Sequence, residues 1–398
     1  MRAGGNSASR ATRMLGLLAA GSALLLTACG GATSASSSTG SHEGLPKEVH
    51  VVSINPTTGP VAFAGLGANK GYELAVKQIN KERFLGDTTL RLSLEDTKSE
   101  AQTAAQEMSS GIADKDITAV FGSVACTEAA AMSALAQRQG MPVVYTQAGC
   151  DGVVIGDYTY RATPFMRDYY PILKKFIKDR GAKTLGIIYT EAFPALQDIG
   201  GKTLPQMAKE LGITVTKSIG TSITTVDFAA PIAQVLKTKP DLVAILQAGA
   251  SNATAMKELR QAGYAGPVLG NAGAGAGSLA PAGSDGAGMV WATDFSPHQS
   301  AASSKKFVEA YRTEYGEDPL NYAAEAYDAA WFLARSIKEA DSVDRAAVKD
   351  AMAVVAKRPF DGALGSELSW SERQLDVPGV VVEWDGKGER LLYEAAQK

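Results

Sequence analysis

The three cysteines and three histidines are the residues whose chemistry is most readily put to use. Cys126 lies in VFGSVACTEAAAM (Val120–Met132), where an apolar run stops at Gly122 and a helix-forming stretch begins just after the thiol. An enzyme can place a nucleophile at such a junction, but it must then supply a base to activate it. Of His42, His50 and His298, the best-placed is His298, which sits in a Pro-flanked polar loop and reads as a solvated surface residue. No two histidines have metal-ligand spacing, and there is no CxxC or HExxH. The glycines at 65, 67 and 71 form GxGxxxG, one residue off the dinucleotide fingerprint and ten residues beyond the end of their strand. The acid that follows GAGAG (273–277), Asp294, comes after a strand in a different setting, and neither GxxxxGK[ST] nor GxSxG occurs. The expectation is a protein that is not an enzyme and has no cofactor and no metal site.

Cys29 suggests a different chemistry. Arg2, Arg10 and Arg13 precede an apolar run from Met14 to Leu26, too short to span a bilayer but suited to a signal-peptide core. The run ends in Leu26-Thr27-Ala28-Cys29, which resembles a bacterial lipobox. Residues 1–28 are expected to be removed and Cys29 to be acylated, since each buried CH₂ contributes about 0.8 kcal/mol to anchoring. The Gly/Ser/Thr-rich stretch that follows, within 29–47, reads as a flexible tether of roughly 20–25 Å. The reading is a body held outside the cytoplasm on the bacterial cell membrane. With a net charge of -3 and 20% charged residues, the chain has no basic footprint for nucleic acid.

The elements that must position these residues alternate from Val49 onward. VHVVSIN, TLRLSLED, ITAVFG and MPVVYT read as strands, with helices at GYELAVKQIN, EAQTAAQEMSSGIAD and EAAAMSALAQRQG between them. The pattern restarts with strands at TLGIIYT, ITVTKSIG, DLVAILQ and GPVLGN, and the chain passes between the two units near YRATPF (160–165). MVWATDF begins a third region, a strand followed by helices, and the tail reads as strands at ALGSELSW and GVVVEWDG. Strand–helix alternation predicts α/β architecture with parallel sheets in two Rossmann-like lobes. Ligands in open α/β sheets bind beyond the carboxyl ends of the strands. The small-residue segments at 55–65, 122–127, 146–152, 190–195, 247–252 and 271–277 are therefore the ones to inspect.

With Cys29 acylated, two cysteines remain in an oxidising compartment. Cys126 and Cys150 each lie five residues past the end of consecutive strands, at Phe121 and Tyr145. A Cys126–Cys150 disulfide is the favoured reading and would contribute about 3–4 kcal/mol. Two partly buried free thiols are the alternative.

INPTTGPVAFAGLGANKGYELAVKQIN, VFGSVACTEAAAMSALAQRQGMPVVYT, YRATPFMRD and YAAEAYDAAWFLARSIKEA together resemble the leucine/isoleucine/valine-binding family of ABC-importer substrate-binding proteins. The resemblance covers about 49–395. It implies a type I periplasmic binding fold with three hinge crossovers, lobe 1 at 48–165 plus 293–375 and lobe 2 at 166–292 plus 376–398. It also implies a small-molecule ligand in the interlobe cleft, ABC permease and ATPase partners, and a monomer.

Carried over residue by residue, the resemblance puts Cys126 where the family has a Ser or Thr that holds the ligand carboxylate, and leaves the amides of Thr127 and Glu128 for that task. YTQAG (Tyr145–Gly149) replaces a Ser/Thr-rich loop, with Gln147 and Ala148 in the wall and Gly149 where an ammonium-binding Thr would stand. Phe193 matches the aromatic of the second lobe's first loop, with Pro194 after it in place of a Gly. Ala64, beside Phe63, and Ala248 fall where aromatics cover the ligand, and Ala272 falls near the acid that pairs with an ammonium. A buried ammonium needs such a partner. A bulkier carboxylic or aromatic acid is therefore expected to fit better than a branched-chain amino acid. A ligand-sensing receptor component of the same fold is the alternative, weakened because the chain ends at YEAAQK without a transmembrane helix. An extracytoplasmic hydrolase would need the triad that is absent.

Overall fold

The computed structural model describes residues 44–395. The signal segment 1–28, the acylation site Cys29 and the tether through residue 43 lie outside the described residues.

The first sheet begins with β1 (Glu48–Asn55), β2 (Thr89–Asp96), β3 (Ile117–Phe121), β4 (Val143–Tyr145) and β5 (Thr159–Arg161). The chain then crosses to a second sheet, with β6 (Thr184–Thr190), β7 (Thr214–Thr221), β8 (Leu242–Leu246), β9 (Val268–Leu269) and β10 (Met289–Thr293). It returns to the first sheet for β11 (Phe360–Gly362), β12 (Gly365–Ser371) and β13 (Gln374–Asp376), and crosses a third time to β14 (Val380–Trp384) and β15 (Glu389–Glu394). The sheet orders are β11-β12-β13-β5-β4-β3-β1-β2 and β15-β14-β10-β9-β8-β6-β7. Two α/β lobes joined by three crossovers result, as the resemblance implies.

Strand composition follows position. The inner strands β3 (ITAVF) and β8 (LVAIL) are buried along their whole length, because helices cover both faces of a parallel sheet. The edge strands β2 and β7 expose part of each sequence and carry more polar residues. Among the described residues, antiparallel pairing is confined to β11–β12–β13 and to β10–β14–β15.

The first helix runs over Ala62–Lys81, nine residues earlier than the periodicity from Gly71 indicates. Its glycines serve packing. A Cβ at Gly65 would strike the Pro56 carbonyl, and one at Gly71 would strike the Ala323 backbone of the Asn321–Ala340 helix. The near-miss nucleotide motif is thus where this helix presses against a loop and another helix. Behind it Tyr72 stacks on Phe121 with centroids 4.3 Å apart, both fully buried, each burial contributing about 1.5–3 kcal/mol. The Cys126–Gln139 helix ends, as the sequence indicates, at Gly140 in the left-handed region (φ 69°). No helix among the described residues is long and apolar enough to cross a membrane.

Candidate ligand-binding site

The carboxyl ends of both sheets face one cleft with a cavity volume of about 100 Å³. From the first lobe it is lined by Val61, Phe63 and Ala64 after β1, by Val124–Thr127 after β3, by Gln147 after β4, and by Tyr322 at the start of its helix. From the other side come Phe193–Leu196 after β6, Gln247–Gly249 after β8, Asn271 and Gly273 after β9, and Met166 from the first crossover.

None of these lining residues is charged. The cleft therefore recognises charge through dipoles. The Cys126–Gln139 helix aims its first turn at the cleft, where the Cys126, Thr127 and Glu128 amides have no helical carbonyl to reach. The approach to that turn is fixed by side chains. Asn55 Oδ1 accepts from the Val124 amide at 3.0 Å, and Ser123 Oγ accepts from the Ala125 amide at 3.0 Å. Glu128 points inward and accepts from Thr97 Oγ1 at 2.6 Å and Ser123 Oγ at 2.7 Å. Burial raises its pKa, which those two hydroxyls partly offset.

Gln147 is clamped from behind. Its amide N–H donates to the Glu325 carboxyl, and its Oε1 accepts from Asn321 Nδ2 at 2.6 Å. Gln247 is clamped in a similar way. Asn252 Oδ1 accepts from its N–H at 3.1 Å, while its carbonyl accepts from Asn252 Nδ2 at 2.9 Å and Asn271 Nδ2 at 3.1 Å. Its side-chain Oε1 accepts from Thr221 Oγ1 at 3.2 Å across the strand ends, and its buried Nε2 has no partner among the described residues. A buried unsatisfied donor costs about 1–3 kcal/mol, which a ligand acceptor would recover.

Phe63, Ala64, Cys126, Thr127, Gln147, Phe193 and Ala248 are thus brought together. Three expected residues are not. Ala148 is fully buried beneath the wall. Gly149 packs against the first crossover, where an added Cβ would lie 2.8 Å from the Met166 nitrogen, so no hydroxyl-bearing side chain fits there. It opens instead on a separate surface pocket with Asp151 and Arg167. Ala272 lines another pocket, with Trp291, Trp384 and Asn321.

Sequence reading passed over Gln247 and Asn271 within segments it had marked, and missed Met166 and Tyr322 altogether. Tyr322 makes an edge contact with Phe63 at 5.7 Å, and nothing local to its helix sequence signals that partner.

Cys126 and Cys150 are joined in a disulfide with Cα atoms 6.1 Å apart. It couples the helix start after β3 to the loop after β4, strands that pair directly. The fully buried Arg161 holds that loop from below, donating to the Ala148 carbonyl at 2.7 Å, the Cys150 carbonyl at 3.1 Å, the Thr163 carbonyl at 3.2 Å and the Gln374 side chain. Burial lowers its pKa to about 10.

Comparison with known proteins agrees with this geometry. The Leu/Ile/Val-binding protein homolog 7 of Brucella abortus (strain 2308) is 24% identical over 372 residues, 88% of this chain and 92% of its own. The leucine binding protein LivK of Thermotoga maritima MSB8 matches with a TM-score of 0.80 at 25% identity, covering 87% of this chain and 98% of its own. An ABC-transporter solute binding protein from R. palustris, in complex with benzoate, matches with a TM-score of 0.79 at 21% identity, covering 88% and 96%. The model of the periplasmic binding protein family spans residues 48–389, and the chain belongs to that family.

Proposed function

We propose that this protein is the lipid-anchored, extracytoplasmic substrate-binding component of an ABC importer, and that its ligand is a small organic acid without an ammonium group. In this reading the lobes are 48–165 plus 293–375 and 166–292 plus 376–398, and they close on the ligand. The protein acts as a monomer without a cofactor, catalyses no reaction, and hands its ligand to a permease driven by an ATPase. Acylated Cys29 keeps it at the membrane.

The observation that carries the ligand class is the absence of charge among the cleft-lining residues. A carboxylate docks on the first-turn amides at Cys126–Glu128 without a cationic partner. An ammonium would be buried without a counter-ion, at a cost of several kcal/mol. Phe63, Phe193, Leu196 and Tyr322 supply an apolar and aromatic body to the cleft. The benzoate held by the R. palustris relative has this chemistry.

A thermal-shift panel of benzoate, hydroxybenzoates, aliphatic acids, leucine and valine tests the reading. Stabilisation by an acid lacking an amino group is expected. Micromolar or tighter binding of leucine or valine would overturn the ligand class while leaving the transport role standing.

A further inference from the structure

Arg167 stands where three segments that shape the cleft come together. It follows Met166, a cleft-lining residue, in the short Met166–Tyr169 helix after the first crossover. Its guanidinium makes a two-pronged contact with Asp151, donating from Nη2 to Oδ1 at 3.1 Å and from Nη1 to Oδ2 at 3.3 Å. Nη1 also lies 3.5 Å from Asp198 Oδ2, and Asp198 Oδ1 lies 3.4 Å from Lys202 Nζ. Asp151 comes after β4 of the first sheet and directly follows Cys150, whose disulfide partner Cys126 opens the helix that faces the cleft. Asp198 comes after β6 of the second sheet and ends the Pro194–Asp198 helix, whose first three residues line the cleft. One guanidinium therefore joins a cleft-lining segment of the first sheet to one of the second.

The side chain is held in place for this contact. Its guanidinium lies 4.0 Å from the centroid of the Phe165 ring, and the same ring carries the guanidinium of Arg161 at 4.3 Å. A stacked, planar guanidinium gives up less freedom on pairing than a free one, and a forked contact with a carboxylate is stronger than a single one. The hydrogen bonds from Arg167 hold the Asp151 carboxyl below the usual carboxylate range, and the same bonds push the Arg167 pKa up. Arg167 is about one-third exposed, whereas 80% of the Asp151 side chain is accessible, so the contact is open to screening by salt.

We propose that Arg167 is a positioning residue that clasps the two lobes together on the flank of the cleft, and that this clasp biases the ligand-free protein toward the closed arrangement. None of the residues lining the cleft is charged, so charge acts on closure from the flank and not from the surface that meets the ligand. The fraction of molecules already closed scales the apparent affinity for any ligand that the closed form holds. Salt should then loosen capture without touching the ligand's own contacts. The proposal rests on the closing motion put forward above but not on the ligand class.

Hydrogen–deuterium exchange of the ligand-free full chain tests the clasp. In Arg167→Met and in Asp151→Asn, the amides of 122–127 and of 193–197 should exchange roughly two- to five-fold faster than in the wild type. The double variant should match Arg167→Met alone, because both changes remove the same contact. Raising the ionic strength from about 0.01 M to about 1 M shortens the screening length from about 30 Å to about 3 Å. The wild type should then approach the variants' rates, while the variants stay where they were. Arg167→Lys should recover part of the protection. Faster exchange confined to 146–152 would mean that breaking the contact frees one loop and that no closing motion follows. An equal response to salt in wild type and variants would mean that the lobes move without a clasp. Either result overturns the proposal. If Arg167→Met does not fold, Asp151→Asn and the salt series on the unaltered chain decide it.

Discussion

Phe63 and Gly249 meet across the cleft, where a Cβ added to Gly249 would lie 3.1 Å from the Phe63 ring. Gly249 also has φ 50° and ψ -132°, a conformation that residues with side chains avoid. Gly249→Ala should therefore strain the closed arrangement by about 1–3 kcal/mol. The expected result is roughly ten-fold or greater weakening of ligand capture, read by calorimetry with the best acid from the thermal-shift panel. Gly249→Ala should cost less affinity in a Phe63→Ala background than in the wild type, since the steric component depends on both residues.

Breaking the disulfide should lower stability and affinity together. Cys126 and Cys150 are 24 residues apart, so Cys126→Ser with Cys150→Ser should cost about 3–4 kcal/mol in denaturant unfolding. Mass spectrometry of the unreduced protein should find neither thiol alkylatable. Affinity is expected to fall because the bridge fixes the helix start whose amides face the cleft.

Gln247→Met tests the unpartnered donor. Removing it relieves a buried unsatisfied group, so the ligand-free protein should unfold at the same or slightly higher denaturant concentration. A ligand with a second acceptor, such as a hydroxybenzoate, should lose about ten-fold in affinity, while benzoate should lose less. Equal losses for both would mean that Nε2 does not reach the ligand.

Asp328 sets an acid-side dependence. It accepts from the Ala363 amide at 2.6 Å and the Leu364 amide at 2.9 Å, yet burial raises its pKa from 3.8 to about 7. A group raised on folding contributes stability in full below its unfolded value and loses it as pH rises through the native value. The stability difference between wild type and Asp328→Asn should accordingly shrink between about pH 4 and 7. Near pH 4 the variant should be the less stable by about 1–3 kcal/mol, because its amide turns one donor toward a backbone N–H, and this deficit should be lost as the pH rises toward 7. Chemical denaturation across that pH range measures both effects.

The long elements were legible in the sequence wherever periodicity was strong. β1, β3, β6 and β8 are apolar runs at their expected places, and Gly140 ends its helix as a C-terminal glycine should. The short strands β5, β11 and β13 were not read, because three residues are too few to show a period, nor was the partly exposed edge strand β15; β5 also leans on β13, distant in sequence, through Arg161 and Gln374. The cleft was legible as a set of strand-end segments. Its departures arose from packing that no local pattern carries. Gly149 is covered by Met166, and Tyr322 reaches the cleft from the first turn of a helix.

The three crossovers also govern how the chain must be assembled. β13 joins β5 from 213 residues away, and β14 inserts between β10 and β15 near the end of the chain. The first sheet is not complete until β13 has been added, nor the second until β14 and β15 have. Pairings of such long sequence separation form slowly, and until they close they leave strand edges open to association with other chains. A chain released or cut before β14 would leave β10 as a bare edge. The C-terminal strands are therefore what covers the β5 and β10 edges, and an intermediate lacking them is exposed to aggregation.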